Sequence, residues 1–205
     1  MPKKKKAEVI QVEEENDDLQ QALMAAMEKP PDVRSMMLFG EVDEEKSTDL
    51  IVGMIMLTDG IPSSEQPLDP IKFYISTYGG NADDMFALYD MMNVTKEKCA
   101  IETIGLGKVM SAGVLLLAAG TKGHRKIGQH CRIMIHSVAA GNMGDLHNLQ
   151  NEMDAIRNLQ DEYIDAFVEN TNVTRKQMKK LLDRKVNVYL TPEEAVEYGI
   201  VDEII

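Results

Sequence analysis

Short apolar segments alternate with helical segments along most of the chain. Four apolar segments lie close to glycine or proline, which predicts strands at residues 36–39, 71–75, 100–104 and 131–135. Between them, the length and composition of three segments predict helices at residues 47–57, 83–93 and 112–119. Because strand and helix units repeat in this order, the pattern predicts an α/β fold with largely parallel strands.

A longer helix is predicted at residues 145–170. Six apolar side chains recur on it at spacings of three and four and form a narrow apolar seam: Leu146, Leu149, Met153, Ile156, Tyr163 and Phe167. Such a seam either docks a partner chain or packs on the helix's own domain. The sequence leaves both interpretations open.

The two ends of the chain differ in how strongly their local structure is specified. Residues 1–32 combine a lysine run, an acidic cluster and a short helical pattern that ends at two prolines. We predict a flexible extension there, followed by one domain at residues 33–205. Near the other end, Thr191, Pro192 and Glu194 predict a capped helix start, and Gly199 predicts the end of that helix.

Charge and cysteine content narrow the classes of function. The formal net charge of -12 argues against nonspecific binding of nucleic acid or an anionic membrane. No apolar run approaches the roughly 20 residues of a membrane-spanning helix, and no signal-peptide core is present near the first residue. Cys99 and Cys131 form neither a CxxC pair nor a metal-ligand spacing, which suits a reducing compartment. We therefore expect a soluble, cytoplasmic protein without a metal or cofactor.

Three local features could support chemistry. Ser111 joins a predicted strand to an apolar helix, where unpaired backbone N–H groups and the helix dipole favour a developing anion. Gly79 and Gly80 follow another strand and permit a sharp turn that presents backbone N–H groups. His136 ends a third strand, at the edge where α/β folds bind ligands. Considered singly, each has a structural explanation: a helix N-cap, a simple turn and a structural histidine.

Together these residues resemble the Clp protease proteolytic subunit family. Five motifs occur in the family's order from residue 34 to residue 205: the glycine pair, Ser-x-Gly before Leu-Leu-Ala-Ala-Gly, the basic stretch at residues 122–125, Met-Ile-His at residues 134–136, and Glu-Ala-Val-Glu-Tyr-Gly at residues 194–199. The resemblance implies a ClpP/crotonase-like α/β fold of repeated strand–helix units. It also implies that residues 33–205 form the peptidase domain and that the helix at 145–170 is a projecting handle helix.

The resemblance implies a serine-peptidase site. Ser111 would be the nucleophile, His136 the general base, and the amides of Gly80 and Ala112 the oxyanion hole. The family's third catalytic residue is an aspartate, but alignment through the final capped helix puts Asn187 at that position. An amide can orient imidazole without stabilising imidazolium as a carboxylate does. The alternative is that Asp183 reaches His136 through a local shift of the chain.

The resemblance also implies partners. The chain would be an ATP-dependent endopeptidase subunit that degrades unfolded polypeptides in heptameric rings, stacked as a tetradecamer and served by an AAA+ unfoldase. Two other functions stay open. Asn187 favours a catalytically weak or inactive, ClpR-like structural ring subunit. A crotonase-type acyl-CoA enzyme also uses paired backbone N–H groups, but the 25 residues from Ser111 to His136 match the peptidase pattern instead.

Overall fold

A computed structural model describes residues 33–59, 68–141, 143–183 and 186–205. Arg34–Ile205 form one compact unit. The predicted N-terminal extension at residues 1–32, with its short helix, lies outside the described residues.

The described elements follow the predicted alternation of strands and helices. In chain order they are β1 (Ser35–Val42), α1 (Glu44–Thr58), β2 (Ile71–Gly80), α2 (Ala82–Lys96), β3 (Ile101–Met110), α3 (Ala112–Ala118), β4 (Arg125–Ile127), β5 (Arg132–Ile135), α4 (Leu146–Asn170), α5 (Arg175–Leu182), β6 (Val188–Leu190), α6 (Pro192–Glu197) and β7 (Glu203–Ile204). All four predicted strands and all predicted helices within the described residues are present. The α/β class is therefore confirmed.

The sheet is mostly parallel and branches at β3. The strand order is β1-β2-β3-β4-β7, and each neighbouring pair in it is parallel. The first half of β3 pairs with β4, whereas residues 108–110 pair with β5. Gly107 lies between the two halves with a φ of 65°, a conformation that favours glycine. The strand thereby changes partner just before Ser111.

Helix α3 lies directly against the sheet beneath this branch. All seven of its residues are buried, which explains why its sequence is uniformly apolar rather than amphipathic. A Cβ atom at Gly113 would lie 2.3 Å from Cγ2 of Thr77 in β2, so the helix and the strand are closely packed. This packing fixes the start of α3 relative to the end of β2.

A buried ion pair connects the far ends of several elements. Arg125 in β4 is 4% exposed and donates to both carboxylate oxygens of Asp202. The same guanidinium donates to the carbonyl oxygens of Ala118 and Asn170, which are the last residues of α3 and α4. Asp202 thus anchors the C-terminal segment to the core.

The apolar seam of α4 lies in two environments. Leu146 and Met153 are 67% and 51% exposed, whereas Tyr163 and Phe167 are buried. The last turns of α4 therefore pack on their own domain, and the first turns project from it, as the predicted handle helix requires. Docking of a partner on the projecting part stays a prediction. None of the described helices combines the length and the apolar character needed to cross a lipid bilayer.

Candidate active site

Ser111 occupies the turn from β3 into α3 in an unusual backbone conformation. Its φ of 53° is the only positive value at a non-glycine position among the described residues. Although it stands at the N-cap position, its side chain makes no capping hydrogen bond. The N-cap explanation of this serine is therefore wrong. A strained strand-to-helix turn that leaves the hydroxyl unused is the geometry of a nucleophile elbow.

The glycine pair packs directly against this turn. A Cβ atom at Gly79 would lie 2.6 Å from Cβ of Ser111, and one at Gly80 would lie 2.0 Å from the carbonyl oxygen of Val42. Any other residue at either position would force the strands apart. The amide of Asn81 donates to Val42 at 2.9 Å. The glycine pair thereby holds the end of β2 against the Ser111 turn and against β1.

Strand pairing brings His136 to the same edge. Strands β3 and β5 are parallel with Met110 opposite Met134, so Ser111 and His136 both follow the ends of adjacent strands. The Ser111 amide donates to the Met134 carbonyl oxygen at 2.8 Å, which connects the two strand ends. Among the described residues, no hydrogen bond joins the Ser111 hydroxyl to the His136 ring.

A cavity of about 430 Å³ opens between these residues. Its lining includes all four residues expected to provide the nucleophile, the base and the oxyanion hole: Ser111, His136, Gly80 and Ala112. Its remaining wall is largely apolar or aromatic and includes Tyr78, Met85, Phe86, Val138, Leu159 and Tyr163. The arrangement combines a free hydroxyl, an imidazole and backbone N–H groups beside an apolar hollow, which suits acyl transfer.

Asn187 directly precedes β6, the strand that pairs with β5. Strands β5 and β6 are antiparallel and their ladder ends with Ile135 opposite Val188, so one further step of this register would bring His136 opposite Asn187. The Asn187 side chain is exposed and, within the described part of the chain, has no hydrogen-bond partner. Asp183 ends α5 and lines a different cleft, with Arg157 and Asp161.

Comparison with known proteins agrees with this geometry. The family model described as Clp protease matches residues 16–205. A Deinococcus radiodurans protein named "ATP-dependent Clp protease proteolytic subunit" is 34% identical over 162 residues, which span 79% of this chain and 76% of the relative. This chain belongs to the Clp protease family.

Membership of the Clp protease family confirms the predicted fold and the enzyme class, that of serine endopeptidases. It decides against the crotonase-type alternative. Neither finding favours the inactive ring subunit. In the described residues, no group of three or more His, Cys, Asp or Glu side chains lies close enough to hold a metal ion.

Two groups near the nucleophile were missed as site residues by sequence reasoning. Tyr163 was identified only as part of the apolar seam, yet it lines the cavity and contacts Ser111. The Thr77 hydroxyl accepts the Gly79 amide at 2.9 Å and donates to the carbonyl of Gly40, which fixes the glycine turn. The helical spacing of Ile156 and Tyr163 indicated one shared face, but not that this face covers the nucleophile.

Proposed function

We propose that Ser111 is the nucleophile and His136 the general base of this Clp-type serine endopeptidase subunit. The observation that carries the proposal is the strained, uncapped Ser111 beside His136 in one cavity. A serine that served only the helix would use its hydroxyl as a cap in an unstrained conformation.

The proposed reaction follows the geometry of the cavity. The Ser111 Oγ forms a bond to the peptide carbonyl carbon while its proton moves to His136, and the carbonyl oxygen becomes an oxyanion held by the amides of Gly80 and Ala112. His136 then gives the proton to the leaving nitrogen as the carbon–nitrogen bond breaks. Water, activated by the same imidazole, releases the acyl group from Ser111 and restores the enzyme.

Asn187 is proposed as the residue that orients His136. The β5–β6 register supports this assignment because, at its last pair, His136 follows Ile135 and Asn187 precedes Val188. The position of Asp183 in another cleft argues against its reaching the imidazole. A neutral amide provides no countercharge for the imidazolium formed during attack, so we expect slow turnover.

The substrates are proposed to be unfolded polypeptides. The cavity wall beside Ser111 contains Met85, Phe86 and Leu159, which suits an apolar side chain next to the cleaved bond. An ATP-driven unfoldase of the AAA+ class is the expected partner, which the name of the relative, "ATP-dependent Clp protease proteolytic subunit", supports.

Assembly into two stacked heptameric rings is the second part of the proposal. Its support is the projecting half of α4, where Leu146, Leu149 and Met153 are exposed on one face of the helix. Exposed apolar residues that continue a buried seam are typical of a helix that packs against another copy. We place this assembly in the cytoplasm, without nucleic-acid or membrane partners, in keeping with the net charge of -12.

A serine-directed fluorophosphonate and a small fluorogenic peptide test the site without an unfoldase. Ser111→Ala should abolish both labelling and hydrolysis while assembly is unchanged, since the hydroxyl makes no capping bond. Ser137→Ala is the matched control because Ser137 lines the same cavity, and its labelling should persist. Labelling that survives Ser111→Ala would exclude Ser111 as nucleophile. A parent chain that assembles but neither labels nor cleaves would favour the structural ring subunit.

A further inference from the structure

A single tyrosine connects α4 to the peptide group of the nucleophile. Tyr163 is 7% exposed, and its hydroxyl lies 3.4 Å from the carbonyl oxygen of Ser111, to which it donates. The two residues are 52 positions apart in the chain. The Tyr163 ring packs against Phe167 with a centroid distance of 6.0 Å, which restricts its orientation.

The bonded carbonyl belongs to the peptide unit that also contains the Ala112 amide. In a planar trans peptide, C=O and N–H point in opposite directions. The Ser111 carbonyl also accepts the Val114 amide at 3.0 Å, on the helix side. Two donors therefore restrain this carbonyl, and in the planar peptide the N–H of Ala112, a residue that lines the cavity, points to the opposite side.

This peptide unit needs such support because the backbone on its N-terminal side is strained. With a φ of 53° at Ser111, rotation of the following peptide would relieve strain and turn the Ala112 amide away from the reacting carbonyl. Burial raises the pKa of the Tyr163 hydroxyl well above its usual range, so the group stays protonated and remains a donor. Hydrogen bonds in a chain also polarise one another, so a donor on this carbonyl strengthens the amide at the other end of the peptide.

We propose that Tyr163 is a positioning residue for the oxyanion hole: its hydroxyl fixes the Ser111–Ala112 peptide so that the Ala112 amide meets the developing oxyanion. The inference rests on the proposed function of Ser111. It assigns to Tyr163 a contribution to the transition state rather than to the binding of the substrate.

Tyr163→Phe removes the hydroxyl and keeps the ring. Loss of one oxyanion-hole donor costs about 10²- to 10³-fold in kcat, so misalignment of a donor that is still present should cost about 10-fold. We expect that decrease in kcat with little change in KM. Tyr89→Phe is the matched control because the Tyr89 hydroxyl is also buried with one partner, the Asn170 amide at 2.9 Å, and lies outside the cavity lining. Its kcat should equal that of the parent.

A pair of inhibitors separates positioning from a structural effect. A peptide aldehyde adds Ser111 Oγ to its carbon and leaves an oxyanion in the hole, whereas the corresponding peptide alcohol cannot add. The ratio of alcohol Kd to aldehyde Kd should fall by about the same factor as kcat in Tyr163→Phe and stay constant in Tyr89→Phe. If Tyr163→Phe does not fold, Tyr163→Met takes its place, since methionine adapts to irregular gaps and the ratio cancels changes in ground-state binding.

The outcomes distinguish this inference from the proposed function. Activity that persists in Ser111→Ala overturns both. The role of Tyr163 alone is overturned if Ser111→Ala is inactive but Tyr163→Phe and Tyr89→Phe have equal kcat values and equal inhibitor ratios. If Tyr163→Phe changes only KM, the role of Tyr163 is also overturned, because a positioning hydroxyl acts on the transition state.

Discussion

Replacing Asn187 with aspartate should make this peptidase faster. One step beyond the last β5–β6 pair, Ile135 with Val188, residue 187 would be opposite His136, and we propose that a carboxylate there faces the imidazolium that forms during attack. The new carboxylate adds a countercharge and keeps the size of the side chain. Asn187 is exposed and has no hydrogen-bond partner in the described part of the chain, so the substitution breaks no hydrogen bond there.

The size of the gain follows from the exposure of residue 187. Opposite charges about 4 Å apart attract by about 1 kcal/mol in water and about 4 kcal/mol near a protein surface. Because residue 187 is exposed, its carboxylate falls between these limits. At about 1.4 kcal/mol per tenfold, kcat should rise about 5- to 1000-fold. The ceiling is the roughly 10⁴-fold decrease that asparagine causes in a serine protease whose triad aspartate is buried.

Steady-state hydrolysis of a fluorogenic peptide, with active sites counted by phosphonate titration, measures this change per working site. Asp183→Asn is the control for the competing assignment and should leave kcat unchanged, because Asp183 lines another cleft. Asn187→Ala separates orientation from charge and should be slower than the parent. The assignment of residue 187 would be refuted if Asn187→Asp did not raise kcat and Asp183→Asn lowered kcat strongly.

Three further predictions concern the fold and the assembly. Gly80→Ala should destabilise the domain by about 1–3 kcal/mol in chemical denaturation, because its Cβ would lie 2.0 Å from the Val42 carbonyl oxygen; an unchanged midpoint would contradict the close packing. Asp202→Asn should cost about 3 kcal/mol because it leaves Arg125 buried and unpaired. Burial acts to raise the pKa of Asp202, but hydrogen bonds from Arg125 hold the pKa below its usual value. The parent's greater free energy of unfolding relative to Asp202→Asn is therefore complete above about pH 4 and is lost as the pH falls through the folded-state pKa. A difference that does not depend on pH would argue against the ion pair. In sedimentation at micromolar concentration the parent should form large assemblies and Met153→Asp smaller ones, whereas a monomeric parent would contradict assembly through α4.

Local signals in the sequence determined much of the fold. The capping box of Thr191 and Glu194 is present in both directions, and Gly199 has a φ of 68° just beyond the helix end. Such signals act over three or four residues, so the chain displays them without its tertiary contacts. The positive φ of Gly79 belongs to this class as well, whereas the close approach of Gly80 to Val42 is a tertiary contact.

The sequence by itself also determined the family and the candidate nucleophile and base, because their motifs are short and ordered along the chain. Only the tertiary structure decided which half of the α4 seam is buried, that the Ser111 hydroxyl is not a helix cap, and that Tyr163 contacts the nucleophile. These facts depend on contacts between residues far apart in the chain. Such contacts are set by how sheet and helices pack together, and no periodicity or local spacing encodes them.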